Sequence, residues 1–272
     1  MPADGLLIAA VTAGLSGAMA FAWMVQKATG NGGWVDVIWT FATGGAGVTY
    51  ALVPVVEPTP RGWLVAALAA LWSLRLGLHL LRRSAKQEDA RYAWFRKAWG
   101  AGFQARMFRF LQIQAAAAAF LALSMWLAAR NPAPGLGAAD VAGVLVFAGA
   151  LLGGAVADAQ LTAFKADPDN AGKVCDRGLW AWSRHPNYFF EWLVWLGFAL
   201  IAVNLQGAWP WGWAAFHAPL FMLWLLTRKS GIPPLEDHMA RSRGQAWAAY
   251  KARTSAFFPL PPRRRGPATE AA

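Results

Sequence analysis

Long apolar runs alternate with short polar connections along most of the chain. A helix needs about 20 mostly apolar residues to cross a bilayer core. Seven segments meet or approach that length: Gly5–Gln26, Val35–Val56, Gly62–Leu81, Met107–Ala129, Ala138–Leu161, Phe189–Val203 and Gly207–Thr227. The sixth is the shortest. Gly and Pro gather between runs, at Gly30–Gly33, Pro54–Pro60 and Pro132–Gly137, where turns require them. The first run does not read as a cleaved signal, because Asp4 and no basic residue precedes it. The pattern therefore predicts an all-α integral membrane bundle of seven transmembrane helices. It forms a single membrane domain over 1–272, with no internal repeat.

Composition supports the membrane reading. Hydrophobic residues make up 57% of the 272 and charged residues 14%, against about 25% charged in a soluble domain. That hydrophobicity excludes disorder, and a single cysteine, Cys175, excludes a disulfide scaffold. The net charge of +11 admits a nucleic-acid binder until the positions of the charges are counted. The connections 82–106 and 162–188, the tail from 228 onward, Lys27 and Arg109 together hold 22 of the 25 Lys and Arg. Only Arg61 and Arg130 fall on the other side, and Arg75 lies inside a run. Cytoplasmic loops carry such an excess. This places the N-terminus outside and the C-terminus in the cytoplasm, and removes the nucleic-acid reading.

Ionisable groups inside a span default to functional candidates. Asp36 opens the second run, either as a helix N-cap or as a site carboxylate. Trp72, Arg75 and His79 share one face of the third run at i, i+3 and i+7, and Arg83 continues it. Arg75 could also snorkel to the interface. Asp158 and Lys165 share a face at the end of the fifth run. The densest polar segment is 173–191, with Lys173, Arg184, His185, Asn187, Tyr188 and Glu191. Pro186 suits the first turn of a helix there, and Ser183 suits its cap. The tail, with Tyr250 and Arg253, reads as an amphipathic interfacial helix ending in the basic stretch 261–272. The four His show no metal-ligand spacing, so no metal site is expected.

These segments carry a family resemblance. WVDVIW at 34–39, LWSLRLGLHLLRR at 71–83, EDARY at 88–92, ADAQLTAFK at 157–165, GLWAWSRHPNYFFE at 178–191, SGIPPLE at 230–236 and YKARTSAFFP at 250–259 span nearly the whole chain. It resembles the DUF1295 branch of the steroid 5α-reductase (3-oxo-5α-steroid 4-dehydrogenase) family, close to its bacterial homologues. The resemblance implies seven helices and NADPH in a cytoplasm-facing cavity built mainly from residues 138–260, with 34–130 on the substrate side. By position, it implies cofactor contacts from Arg75, His79, Arg83, Asp158, Lys165, Lys173, Arg184, His185, Asn187, Tyr188, Tyr250 and Arg253. Asp36 and Glu191 are implied in catalysis. Trp72 stands where the steroid reductases place a Tyr that polarises the ketone, and an indole N–H can donate but not usefully release a proton.

The expected reaction is NADPH-dependent reduction of a C=C bond conjugated to a ketone, with a 3-oxo-Δ4-steroid giving the 5α-dihydro product. A protonated Asp36, with Trp72, would hydrogen-bond the carbonyl oxygen. The substrate is an apolar molecule entering from the lipid of a bacterial inner membrane. The alternative is an S-adenosylmethionine-dependent membrane methyltransferase of the isoprenylcysteine or phospholipid type, which shares the Arg-His-Pro-x-Tyr segment. A third reading is a carrier using Asp36 and His79 as proton sites.

Overall fold

The computed structural model describes residues 2–53, 58–86 and 88–263. The end of the second apolar run, at 54–56, and the tail from 264 onward lie outside the described residues. The helices are α1 (Pro2–Thr29), α2 (Gly33–Leu52), α3 (Pro60–Ser84), α4 (Ala90–Trp99), α5 (Phe103–Ala129), α6 (Ala138–Ala166), α7 (Leu179–Trp182), α8 (Pro186–Ala202), α9 (His217–Trp224) and α10 (Ile232–Arg253). Among the described residues, β pairing is confined to one isolated parallel bridge, Ser183 to Ser255. The chain is all-α. Four stretches, Ala3–Thr29, Pro60–Ser84, Arg91–Ala129 and Ala138–Ala166, are long and apolar enough to cross a membrane.

The other three expected spans differ in kind. Thr40, Thr43, Thr49 and four glycines dilute the apolar character of α2. Helix α8 has 17 residues. The seventh run is not one uniform helix: a 3-10 segment at Pro210–Phe216 leads into α9, and one π turn follows at Leu225–Lys229. Pro219 is the third residue of α9, where its missing N–H falls among the donors a helix start leaves unpaired.

The chain divides into two compact units. The first comprises the chain up to Phe147 together with Trp195–Pro219; the second comprises Ala148–Val194 together with the chain from Leu220.

In the first unit α2 packs closely on α3, and α1 packs on α2 and α5. Close approach of α2 and α3 depends on glycine: a Cβ on Gly44 would collide with the Ser73 side chain. Small residues at such crossings let helix backbones approach in the absence of a hydrophobic drive. Thr59 caps α3, its Oγ1 accepting from Gly62 N at 3.0 Å. Next to it Arg61, 3% exposed, uses all five of its N–H donors. Two go to the carboxylate of Asp140 at 2.8 Å each, two to the carbonyls of Asn131 and Ala133, and one to Gly135 O at 2.6 Å. This fastens the start of α3 to the α5–α6 connection. Arg130 donates to Asp4 at 3.1 Å and to Tyr50 O. The two basic residues that the loop count sets apart are thus both paired with carboxylates.

In the second unit Gly178, at φ +60°, turns the chain into α7 against the Gln160 side chain. Gln160 Oε1 accepts from Leu179 N at 2.9 Å, and Trp180 Nε1 donates to Ala157 O at 2.9 Å. The segment after α10 returns alongside 182–184: Arg184 N donates to Ser255 O and Leu260 N to Trp182 O. Phe189, Trp192, Phe257 and Phe258 pack ring against ring and hold that return in place.

Candidate functional site

In the second unit Glu236, in the second turn of α10, is the hub of a buried charge cluster. Its Oε1 accepts from Arg184 Nε at 2.8 Å and lies 2.7 Å from Arg184 Nη2. His185 Nε2 lies 3.2 Å from the same oxygen, and Lys251 Nζ lies 3.1 Å from Oε2. Burial works to raise the Glu236 carboxyl, but the hydrogen bonds from His185 and Arg184 and the Arg184 charge outweigh it and bring it down to about 2. Burial pushes the His185 imidazole below its ordinary range, against the pull of Glu236. A carboxylate only accepts, so the proton of the neutral ring is assigned to Nε2. The ring stacks on Tyr188 at 5.5 Å. Arg184 Nη1 donates to the carbonyls of Lys251 and Thr254. Ser183 Oγ accepts from His185 N at 3.1 Å and donates to Phe257 O at 2.9 Å. Arg184 and Ser183 therefore fix the start of α8 to the end of α10, with four of five guanidinium donors already used.

Beside this cluster lies a cavity of about 330 Å³. Its walls include Phe164, Lys173, Asp176, Arg177, Tyr250 and Arg253. Arg253 Nη2 is ion-paired with Asp176 Oδ2. Arg177 donates to Asn170 Oδ1 at 3.3 Å, and its guanidinium lies over the Phe164 ring. Tyr250 OH donates to Trp180 O at 2.5 Å, so the ring rather than the hydroxyl is what Tyr250 offers the cavity. Cys175 is buried, and burial pushes its thiol up, away from the thiolate a nucleophile needs. Three cations against one carboxylate make this a net-positive recess suited to an anion.

The remaining sequence candidates in this unit sit elsewhere. Asp158 is half-buried and Lys165 exposed on α6; Asn187 and Glu191 are half-buried one turn apart on α8. None of these four is among the residues lining the cavity.

The first unit has its own polar centre. Asp36, in the first turn of α2, accepts from Tyr92 OH on Oδ1 at 2.8 Å and from Arg91 Nη2 on Oδ2 at 2.6 Å. Arg83 Nη2 lies 3.8 Å from Oδ2 and donates to Asp89 at 2.8 Å. Asp89 caps α4 by accepting from Arg91 N, and also accepts from the Arg91 side chain. Burial works to raise the Asp89 carboxyl, but its bonds to Arg91 and the charges of Arg91 and Arg83 hold it below its ordinary range. Glu88 ties in Gly32 N and Arg96. Two guanidinium groups and a phenol hydroxyl thus surround the Asp36 carboxyl. Tyr92 is the hydroxyl donor to Asp36 at this centre. Arg83 likewise joins Asp36 and Asp89. Trp72 is fully buried, with its ring edge-on to Trp39 and Trp195. Arg75 and His79 are half-buried on the same face of α3.

Sequence reading did not single out Glu236, Asp89, Arg91, Tyr92, Asp176 or Arg177 as site residues. Glu236 is buried one turn after Ile232, a spacing that marks a carboxylate turned inward, while the buried Trp247 and Tyr250 lie beyond a break in the helical backbone at Gly244. No curated protein and no solved structure gives a significant match to the chain. The DUF1295 family model, described as a protein of unknown function, matches residues 22–254. The chain belongs to the DUF1295 family.

Proposed function

We propose that the chain is a seven-span membrane reductase, N-terminus outside, that uses NADPH from the cytoplasm of a bacterium to saturate the C=C bond of a conjugated enone. The substrate we favour is a 3-oxo-Δ4-steroid, reduced to the 5α-dihydrosteroid, reached through the bilayer. The observation that carries this reading is the cavity lined by Lys173, Arg177 and Arg253. Its donor set fits the phosphates of a dinucleotide, because basic side chains make charge-assisted bonds to phosphate oxygens. It does not favour S-adenosylmethionine, which has no phosphate and carries a positive sulfonium.

When bound, NADPH would supply the hydride that ends on the β-carbon of the enone. The chain's residues do the rest. Lys173, Arg177 and Arg253 offset phosphate charge, and the aromatic rings of Phe164 and Tyr250 offer flat surfaces to a base. Glu236 holds Arg184 and His185, and through them the start of α8, on which Asn187, Tyr188 and Glu191 stand. In the first unit, we assign the polarising of the substrate carbonyl to the Asp36–Tyr92 pair. The Tyr92 hydroxyl already donates to one carboxylate oxygen, and Arg91 holds the other. On this reading the one Tyr92 hydroxyl proton turns from Asp36 to the carbonyl oxygen when the enone binds, a donor to replace the family Tyr where this chain has Trp72. A donor placed where charge develops commonly contributes about 10²–10³ in rate.

The test is to follow NADPH absorbance with purified protein and a panel of enones, with product identified by mass. Stoichiometric oxidation of NADPH with loss of the C=C bond supports the reading. Methyl transfer from S-adenosylmethionine with no NADPH oxidation would replace it with the methyltransferase.

A further inference from the structure

The Arg253–Asp176 pair sits in the wall of the basic cavity, and both side chains are more than a third exposed. An ion pair this exposed stabilises little, so it is easily exchanged. Lys173 and Arg177 line the same recess. Counted together, three positive side chains and one negative leave about two positive charges, which matches a phosphomonoester carrying ~1.5 to 2 negative charges. An internal carboxylate on Arg253 is also the chemistry a bound phosphate oxygen would present to that guanidinium.

We propose that Asp176 is a specificity gate: its carboxylate holds Arg253 as a stand-in for a phosphomonoester. A ligand bearing that group takes Arg253 from Asp176, and a ligand without it does not. The proposal rests on the nucleotide reading above and deepens it. On that reading the group is the extra phosphate that distinguishes NADPH from NADH, so Asp176 is a residue through which the site selects between them.

The mechanism sets the direction of each effect. Removing the Asp176 charge ends the competition for Arg253 and the repulsion of an incoming phosphate. Phosphate-bearing ligands then bind more tightly, and ligands without the group barely change. The gain expected from losing one exposed ion pair is about two- to five-fold at low salt. It shrinks as ionic strength rises, because exposed charges are screened over ~10 Å at 0.1 M. A carboxylate that instead held a ribose hydroxyl would give the opposite sign.

The experiment titrates the full-length protein in detergent with 2′,5′-ADP, inorganic phosphate, 5′-AMP, NADPH and NADH, as wild type, Asp176→Asn and Arg253→Ala. Tighter binding of 2′,5′-ADP and phosphate by D176N, and its loss in R253A, is the expected result. Unchanged or weaker binding of 2′,5′-ADP by D176N would overturn the gate, whatever the other ligands do. Failure of NADPH to bind wild type, with the phosphate probes behaving as expected, sinks the reductase reading and leaves the gate standing.

Discussion

Replacing Glu236 with Ala removes the common partner of Arg184, His185 and Lys251. Arg184 and Glu236 are both within a tenth of full burial, so the change leaves a guanidinium out of water with only two carbonyls. Breaking a buried pair from one side costs about 3–5 kcal/mol. The same contacts bring the carboxyl from 4.5 to about 2, which corresponds to roughly 3 kcal/mol of folding free energy at neutral pH. The sign follows from proton uptake. The unfolded Glu takes its proton near 4.5 and the folded one only near 2, so this stabilisation is present above 4.5 and is lost between 4.5 and 2. His185, held low by burial, adds to the loss below its ordinary 6.5, because the unfolded ring is the one that takes the proton. Thermal unfolding in a fixed detergent, followed by tryptophan fluorescence between pH 7 and pH 2, checks both effects. At about 2–4 °C per kcal/mol, E236A should lower the midpoint by about 10 °C at pH 7. E236Q, which keeps one oxygen acceptor, should lose less and show a flatter pH dependence. An E236A midpoint within 2 °C of wild type at pH 7 would refute the claim that Glu236 organises this cluster.

Other consequences are sharper in position than in size. Arg61→Ala leaves Asp140 buried without its bidentate partner and should cost about 3–5 kcal/mol; Arg61→Lys should recover little, since three donors cannot replace five, and denaturant titration of both variants checks this. Gly44→Ala drives a Cβ into Ser73 and should cost about 1–3 kcal/mol as an overpacking change; the double variant Gly44→Ala/Ser73→Gly should restore most of it. Tyr92→Phe should lower enone turnover by about 10²-fold or more while leaving the NADPH Kd unchanged; unchanged turnover removes Tyr92 from the chemistry.

The long helices were legible because their signal is local. Helices α1, α3, α5 and α6 cover the expected runs and extend several of them by a turn, and the Thr59-Pro60 and Asp89 caps can be read from residue type alone. The internal breaks of the seventh run were not legible, since mean apolarity does not register where Pro210 and Pro219 change the hydrogen-bond pattern. Helix α4 was hidden inside a stretch read as polar, although Tyr92, Phe95 and Trp99 at i, i+3 and i+7 mark an inward face. The charge clusters were illegible for a different reason. Glu236 and Arg184 are 52 positions apart and Asp36 and Arg91 are 55 apart, so no local pattern pairs them. Sequence reading found the RHPNY and EDARY segments and the Asp36 carboxylate. It did not find that Arg184 is committed to Glu236, or that Asp36 is already met by Tyr92 and Arg91.

The cation-lined cavity of the second unit is the centre of the account, and cofactor choice tests it most directly. The measurement is the thermal midpoint of the purified protein against rising NADPH, NADH and S-adenosylmethionine in parallel. A ligand that binds only the folded state adds about 2.7 kcal/mol at one hundred times its Kd. The account predicts a saturable rise with NADPH, a smaller one with NADH and none with S-adenosylmethionine, and loss of the NADPH response in Arg253→Ala. A rise with S-adenosylmethionine and none with NADPH would contradict it.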